Sequence, residues 1–192
     1  MSGNTEKDLG LIRQAIEGRS SAFGLLYDRY NEAIYRFIYL KVGHREEAED
    51  LTHHVFLSAW QHISAFKDQG LPFSSWLYQI ARNKVIDYYR TKKSNLSLED
   101  FDIEEIGGKV DEESNLDSKM DMEEARKALL ELTEEQQSVV IMRFVEDLSY
   151  EEISKNIGKS QATIRVIQYR ALKNLQKIVK RYETEGFNKN IK

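Results

Sequence analysis

Residues 150–169, YEEISKNIGKSQATIRVIQY, carry two pairs of isoleucines at helical spacing around a single glycine. Ile153 and Ile157 give a first helix its inner face, and Ile164 and Ile167 do the same for a second. Ser154 is small where two helices must approach closely. Gly158 falls at the turn between them, where a positive φ is usual and only glycine adopts it without penalty. Ser160 is placed to cap the second helix. The spacing predicts a helix-turn-helix whose outer face holds Gln161, Ala162, Thr163, Arg165 and Gln168. The N-terminal part of such a second helix is what enters a DNA major groove. An arginine there can fork onto guanine and a glutamine onto adenine, and a good bidentate pair discriminates by about 1–3 kcal/mol. Lys159 and Lys173 are placed to meet phosphates, with Arg170 on the same candidate surface. The competing reading is a helical hairpin with a solvated basic face. Against it, Lys159 to Arg181 holds seven Lys or Arg and no Asp or Glu.

The remainder of the chain also reads as all-α. Leu9, Ile12 and Ile16 recur at helical spacing, as do Leu26, Tyr30, Ile34, Phe37 and Ile38. Ala48, Leu51, Val55 and Ala59 follow, then Leu77, Ile80, Ala81 and Val85, and no period-two alternation bounded by turns occurs. Thr133–Gln136 and Ser149–Glu152 have the form of capping boxes. Gly70-Leu-Pro72, with the only proline, breaks the chain between two strong helices, and Ser74 or Ser75 is expected to cap the second. From Ser94 to about Met122 the periodicity fades into acids, Ser, Asn and a Gly pair. The expected organisation is a domain over 5–93, a flexible acidic linker over 94–125 and a domain over 126–182, with a frayed tail beyond.

Composition narrows the function classes. A hydrophobic fraction of 41% and a charged fraction of 31% fit a globular protein. Zero cysteines exclude disulfides, thiolate catalysis and cysteine-ligated zinc. No apolar run approaches the length that spans a bilayer, and MSGNTEKDLG has no apolar stretch of a secretory signal. The net charge of −4 is misleading, because residues 94–125 hold twelve acids against Lys109 and Lys119. That segment carries ten net negative charges, so the rest carries six net positive ones, the footprint of a nucleic-acid binder.

Between Trp76 and Lys93, aromatic residues interleave with cations. Trp76, Tyr78, Tyr88 and Tyr89 alternate with Arg82, Lys84, Arg90, Lys92 and Lys93, against Asp87 alone from Arg82 onward. Single-stranded nucleic acid is held by such stacking platforms in a basic groove. Core packing is the competing reading for Trp76 and Tyr89, and Asn83 with Asp87 can brace the helix. His53 and His54 invite a metal, but adjacent helical residues point about 100° apart and no His pair has the i, i+4 spacing that shares one ion. No nucleophile–base pair is visible, so an enzyme is the weakest reading, and no metal or cofactor is expected.

Two segments together resemble the sigma-70 family of RNA polymerase subunits. Leu132-Thr-Glu-Glu-Gln136 with Arg143-Phe-Val-Glu-Asp-Leu-Ser-Tyr-Glu-Glu-Ile153 is similar to its −35 reading domain. Glu49-Asp-Leu-Thr-His-His-Val-Phe-Leu-Ser-Ala-Trp60 looks like its core-binding helix, and Phe73–Arg90 like its −10 reading and melting segment. The short linker points to the extracytoplasmic-function group. The resemblance implies that Asp50, Leu51, His53, His54, Phe56, Ser58 and Trp60 form the surface for the β′ coiled coil, with core packing the competing reading for Phe56 and Trp60, and with the β flap as a further polymerase contact. It places −10 DNA on Lys67, Ser74, Ser75, Trp76, Tyr78, Arg82, Asn83, Lys84, Asp87, Tyr88 and Arg90, with a base-capturing loop over 66–75. It places −35 DNA on Lys159, Ser160, Gln161, Ala162, Thr163, Arg165, Gln168, Arg170 and Lys173. It also implies an anti-sigma factor, membrane-bound in many such systems, a cytoplasmic site of action without membrane insertion, and a linker that enters the polymerase's RNA path. His53 and His54 stand where the family pattern has Gln then an acid, and Ile167 and Gln168 where many members have Arg then Leu. A conventional helix-turn-helix regulator and a protein-binding helical adaptor remain the alternatives.

Overall fold

The computed structural model describes residues 6–67, 72–95 and 125–189, all helix and connecting turns with no strand among them. In the N-terminal half, α1 (Glu6–Ile16) packs on α2 (Ser20–Val42), which in turn packs on α3 (Arg45–Gln61) and α4 (Phe73–Asn95). Gly43 ends α2 at φ +80°, its N–H returning to the Tyr39 carbonyl as in a left-handed helix cap. Glu46 and Glu47 open α3 where the positive end of the helix dipole favours acids. Leu26, Ile34, Phe37 and Ile38 of α2 are fully buried with Val55 and Ala59 of α3 and Phe73, Leu77, Ala81 and Val85 of α4. Of the expected inner stripe, Tyr30, Leu51 and Ile80 are half-buried against this core, Leu9 is half-buried, and Ile16 is exposed, with Ala15 buried in its place.

In the C-terminal half, a short helix α5 over 125–130 precedes α6 (Glu134–Val140), which runs into a π-helical turn (Ile141–Val145). Then come α7 (Tyr150–Ile157) and α8 (Gln161–Lys189). α8 packs on both α6 and α7. It continues to Lys189, through most of what the sequence suggests is a frayed tail. The acidic segment 96–124 and residues 68–71 lie outside the described residues, and α4 itself extends to Asn95, two residues into the expected linker.

Two expected caps are corrected. Neither Ser74 nor Ser75 caps α4: the helix starts at Phe73, and the Ser75 N–H bonds the Pro72 carbonyl. Thr133 does accept the Gln136 N–H at the start of α6, but the Gln136 side-chain oxygen accepts from Asn174 on α8 instead of completing a capping box.

The two halves share one apolar core. Val139, Ile141, Met142, Leu148, Ile153 and Ile157 join the cluster formed by α2, α3 and α4, and α4 lies against α7. Charges cross the same seam. Arg36 on α2 forks onto Glu146 at 2.8 and 2.9 Å, and the Tyr78 hydroxyl donates to the same carboxylate at 2.8 Å. The Glu146 side chain is 3% exposed, so these donors replace its hydration. The hydrogen bonds to Glu146 hold the Arg36 guanidinium above its ordinary pKa, and burial followed by the Glu146 charge pushes the Tyr78 hydroxyl up. Lys41, fully buried, donates to Glu134 at 3.2 Å and to the Ser138 hydroxyl at 2.7 Å, while Arg82 reaches Glu134 at 3.3 Å. Burial alone would raise the Glu134 carboxyl, but the charges of Lys41 and Arg82 hold it below its ordinary range.

Burial pushes the Lys41 ammonium down to about 8 from an ordinary 10.5, against the opposing attraction of Glu134 and with the like charge of Arg82 adding to the drop. Between these two values the folded protein binds fewer protons than the unfolded chain, so its stability rises with pH there, by at most about 1.4 kcal/mol per unit. The unfolding free energy of the wild type minus that of Lys41→Met should therefore increase from pH 7.5 to 9.5 in urea titrations. Tyr78, Tyr88 and Tyr89, whose hydroxyls burial pushes up, titrate in both proteins and cancel in the difference. Parallel pH curves would mean that Lys41 keeps its proton in the seam.

Candidate nucleic-acid interface

The helix-turn-helix is assembled by local bonds. Ser149 and Glu152 form a reciprocal capping box at the start of α7, with the Ser149 N–H donating to Glu152 Oε2 at 2.7 Å and the Glu152 N–H to Ser149 Oγ at 3.2 Å. Gly158 ends α7 at φ +73°, and its N–H and that of Lys159 both return to the Ser154 carbonyl. The small Ser154 side chain donates across the turn to the Lys159 carbonyl. Ser160 caps α8, its Oγ accepting the Thr163 N–H at 3.2 Å. Ile153, Ile157, Ile164 and Ile167 are buried, and Gln161, Ala162, Thr163 and Arg165 are exposed.

Tyr150, which sequence reading does not single out, braces this outer face. The Arg165 guanidinium lies over its ring at 4.3 Å, a cation–π distance, and Arg143 sits at 5.0 Å. The Tyr150 hydroxyl donates to Gln168 Oε1 at 2.8 Å, and Gln168 is half-buried instead of fully outward. Arg165 is therefore held stacked and extended before any ligand arrives. Lys159 pairs with Glu135 at 3.1 Å, Arg170 is exposed, and Lys173 lies over the exposed Tyr169 ring at 5.1 Å. Exposed Tyr169 flanked by cations is a second feature with no strong local signature, because an aromatic on a basic helix also fits a core stripe.

The −10 set divides into two groups. Asn83, Asp87 and Arg90 are exposed, with Asp87 pairing with Arg90 at 3.0 Å and not with Asn83, and Lys84 is half-buried. Tyr88 donates to Glu47 and accepts from Lys92, while the Tyr89 hydroxyl bonds the Lys41 carbonyl at 2.6 Å. The other members face the C-terminal half. Tyr78 is buried on Glu146 and Arg82 is held by Glu134. Lys67, Ser75 and Trp76 line a cavity of about 400 Å³ together with Lys155 and Asn156 of α7. Ser75 and Asn156 are buried, and neither the Ser75 hydroxyl nor the Asn156 side-chain oxygen has a hydrogen-bond partner among the described residues. Trp76 is half-buried at 5.5 Å from the rings of both Phe66 and Phe73, and Ser74 is half-buried beside it. Residues 68–71, within the loop over 66–75 expected to capture a base, lie outside the described residues.

On α3, Asp50, His53 and His54 are exposed, and Leu51 and Ser58 are half-buried. Phe56 is a correction: it is buried against Tyr27 and Phe23, at 4.7 and 6.5 Å between ring centres, and presents no outer surface. Trp60 is half-buried at 5.0 Å from Phe23. Leu57, 51% exposed between the two histidines and Ser58, is an apolar side chain on the outward face that periodicity alone does not flag. No group of three or more His, Cys, Asp or Glu among the described residues is arranged to hold a metal, and no described helix is long and apolar enough to cross a membrane.

Comparison with known proteins matches two family models in order along the chain, Sigma-70 region 2 over residues 26–95 and Sigma-70, region 4 over residues 128–177. The ECF RNA polymerase sigma factor BldN of Streptomyces coelicolor is 37% identical over 172 residues, covering 88% of this chain and 64% of that protein. The chain thus spans somewhat under two thirds of the length of that relative. The ECF RNA polymerase sigma factor SigW of Bacillus subtilis is 28% identical over 179 residues, covering 86% of this chain and 93% of that protein. Among solved structures, the sigma factor RpoE in complex with the anti-sigma factor NepR from Bartonella quintana shares the fold. It has a TM-score of 0.66 at 23% identity over 82% of this chain and 96% of the other.

At Gly158 a Cβ would meet nothing within 4 Å, so a side chain there costs only backbone strain at φ +73°. Gly158→Ala should lower the unfolding free energy by about 1 kcal/mol, and Gly158→Asn by less, since Asn tolerates the left-handed region. Chemical denaturation checks this. Equal losses for Ala and Asn would point to a steric clash instead of a conformational cost.

Proposed function

The chain belongs to the sigma-70 family of RNA polymerase sigma factors, in its extracytoplasmic-function group, and from that premise we propose how its residues divide the work of starting transcription. A domain over residues 5–93 anchors on core RNA polymerase through the outer face of α3. Asp50, Leu51, His53, His54 and Ser58, with Leu57 added and Phe56 acting only as support, make that surface. His53 and His54 replace side chains that would present an acid, so this contact relies more on Asp50 and on apolar Leu57. A domain over residues 126–182 sets the N-terminal turns of α8 in the −35 major groove. The observation that carries this part is the presentation of Arg165, stacked on Tyr150 at 4.3 Å and projecting beside exposed Gln161 and Thr163. A pre-organised guanidinium loses less freedom on forking to a guanine. Lys159, Arg170 and Lys173 position the helix on phosphates without reading bases.

The α4 residues Arg82, Lys84 and Arg90 hold the backbone of the melted −10 strand, and Trp76 with Tyr88 supplies stacking surface beside the loop 66–75. Bond-making chemistry belongs to the polymerase, so no catalytic residue is assigned to this chain. The β′ coiled coil and the β flap are the polymerase partners. An anti-sigma factor is a third partner, as NepR is for RpoE of Bartonella quintana. The acidic segment between the domains tethers them and enters the RNA path. The site of action is the cytoplasm, where polymerase and promoter meet.

Transcription in vitro with core polymerase on fragments of the source genome tests the reading. Specific start sites should appear only when the protein is added, and Arg165→Ala should reduce them about tenfold, the loss of one bidentate base contact. DNA binding in a gel shift without polymerase, with no transcripts, would indicate a conventional helix-turn-helix regulator.

A further inference from the structure

The roll of α8 is set on its inner side. Ile164, Ile167 and Ala171 are buried, and the Tyr150 hydroxyl bonds the Gln168 side chain at 2.8 Å. With about 100° between successive residues, that inner stripe decides which side chains stand on the outer pole. Ala162 and Tyr169 fall almost diametrically opposite the stripe, and Arg165 and Val166 flank the pole, roughly 50° to either side. Gln168 lies more than a quarter-turn from the pole, half-buried and held by Tyr150. It is turned away from any groove that the pole enters.

The outer pole is apolar at its centre. Val166 is 47% exposed, Tyr169 is 61% exposed, and Ala162 is exposed one turn before them. Single exposed apolar side chains are ordinary on a protein surface. Here three fall in line at i, i+4 and i+7, on the turns that carry Arg165, with Lys173 over the Tyr169 ring at 5.1 Å. The strip runs roughly 10 Å along the helix axis, the rise of about three base pairs. Its surroundings indicate the occupant: Lys159 to Arg181 holds seven Lys or Arg and no Asp or Glu, which a phosphate backbone complements. In a major groove, the apolar group that a base edge offers is the C5 methyl of thymine. Against any other edge, the Val166 methyls would strip water from donors and acceptors and return no partner.

We propose that Val166 is a specificity-determining residue that reads a thymine methyl in the −35 element, beside the base pair that Arg165 engages. Ala162 allows the close approach because its side chain is a single methyl group, and Tyr169 closes the strip at its far end. The proposal rests on the placement of α8 in the −35 groove made above. Base reading thereby falls to Val166, where sequence spacing points to Gln168.

The test uses polymerase holoenzyme assembled with the full chain, on a promoter located by the start-site assay. Each thymine of the −35 element, on either strand, is replaced singly by deoxyuracil, which deletes the methyl and keeps the base pair. Competition binding should show at least one position where the replacement weakens the wild type about fourfold, the loss of one buried methyl group. Val166→Ala should weaken binding to the natural promoter at least as much, and should bind the natural and deoxyuracil promoters equally. Alanine is the stronger helix former, so this variant keeps α8 folded. An unchanged deoxyuracil effect in Val166→Ala, or none at any thymine in the wild type, overturns the methyl reading. A −35 element made only of G·C pairs does the same. Arg165→Ala separates the proposal from its premise. If Arg165→Ala weakens binding while deoxyuracil does nothing, α8 reads the element without a methyl contact. If neither variant changes binding, the placement of α8 in the groove falls and the proposal with it.

Discussion

The buried carboxylate of Glu146 constrains the arrangement of the whole chain. A charge only 3% exposed is tolerated when donors replace its water, and here Arg36 and Tyr78 supply three of them from the other half of the molecule. Neither half alone satisfies that group. The same holds for Lys41, which has no exposed surface and finds its counter-charge on α6. Two halves that share one apolar core are thus bound to one relative placement by polar groups that would be costly to strand. The apolar residues Val139, Ile141, Met142 and Leu148 fill the space around them. Hydrophobic burial makes the seam adhesive, and the paired charges make it specific.

That seam gives the chain's unusual charge distribution a physical sense. The N-terminal half presents Arg36, Lys41 and Arg82 toward two carboxylates, Glu146 and Glu134, that the C-terminal half holds in place. A tethered weak ligand competes well because its effective concentration is high.

Much of this was legible in the sequence, and the reasons for the rest are specific. The isoleucines at 153, 157, 164 and 167 with Gly158 between them specify the helix-turn-helix, because helical periodicity and a positive-φ turn are local properties. The two family segments identified themselves by motif. Phe56 was ambiguous because α3 has a wider buried stripe than a single heptad face, taking in Thr52 and Phe56 as well as Val55 and Ala59. Ser74 and Ser75 looked like caps, yet Pro72 moves the start of α4 one residue before them. Tyr150 gives no local signal, because its value lies in reaching Arg165 and Gln168, fifteen and eighteen positions on. The pairs Arg36–Glu146 and Lys41–Glu134 join residues 110 and 93 positions apart, and no local pattern reports such a meeting.

The 29 residues of α8 extend about 43 Å at 1.5 Å per residue. Its first turns carry the exposed side chains of Gln161, Thr163 and Arg165, and its later turns run on past Ala171, the last fully buried residue described in it, to the pairing of Arg181 and Tyr182 with Glu131. Mechanically this is a rigid lever with its working tip at Ser160 and a light surface restraint near the opposite end. A tilt of about ten degrees at the tip swings the far end through roughly 7 Å over that span. A small tilt of the first turns is therefore converted into a larger displacement at the far end of the helix.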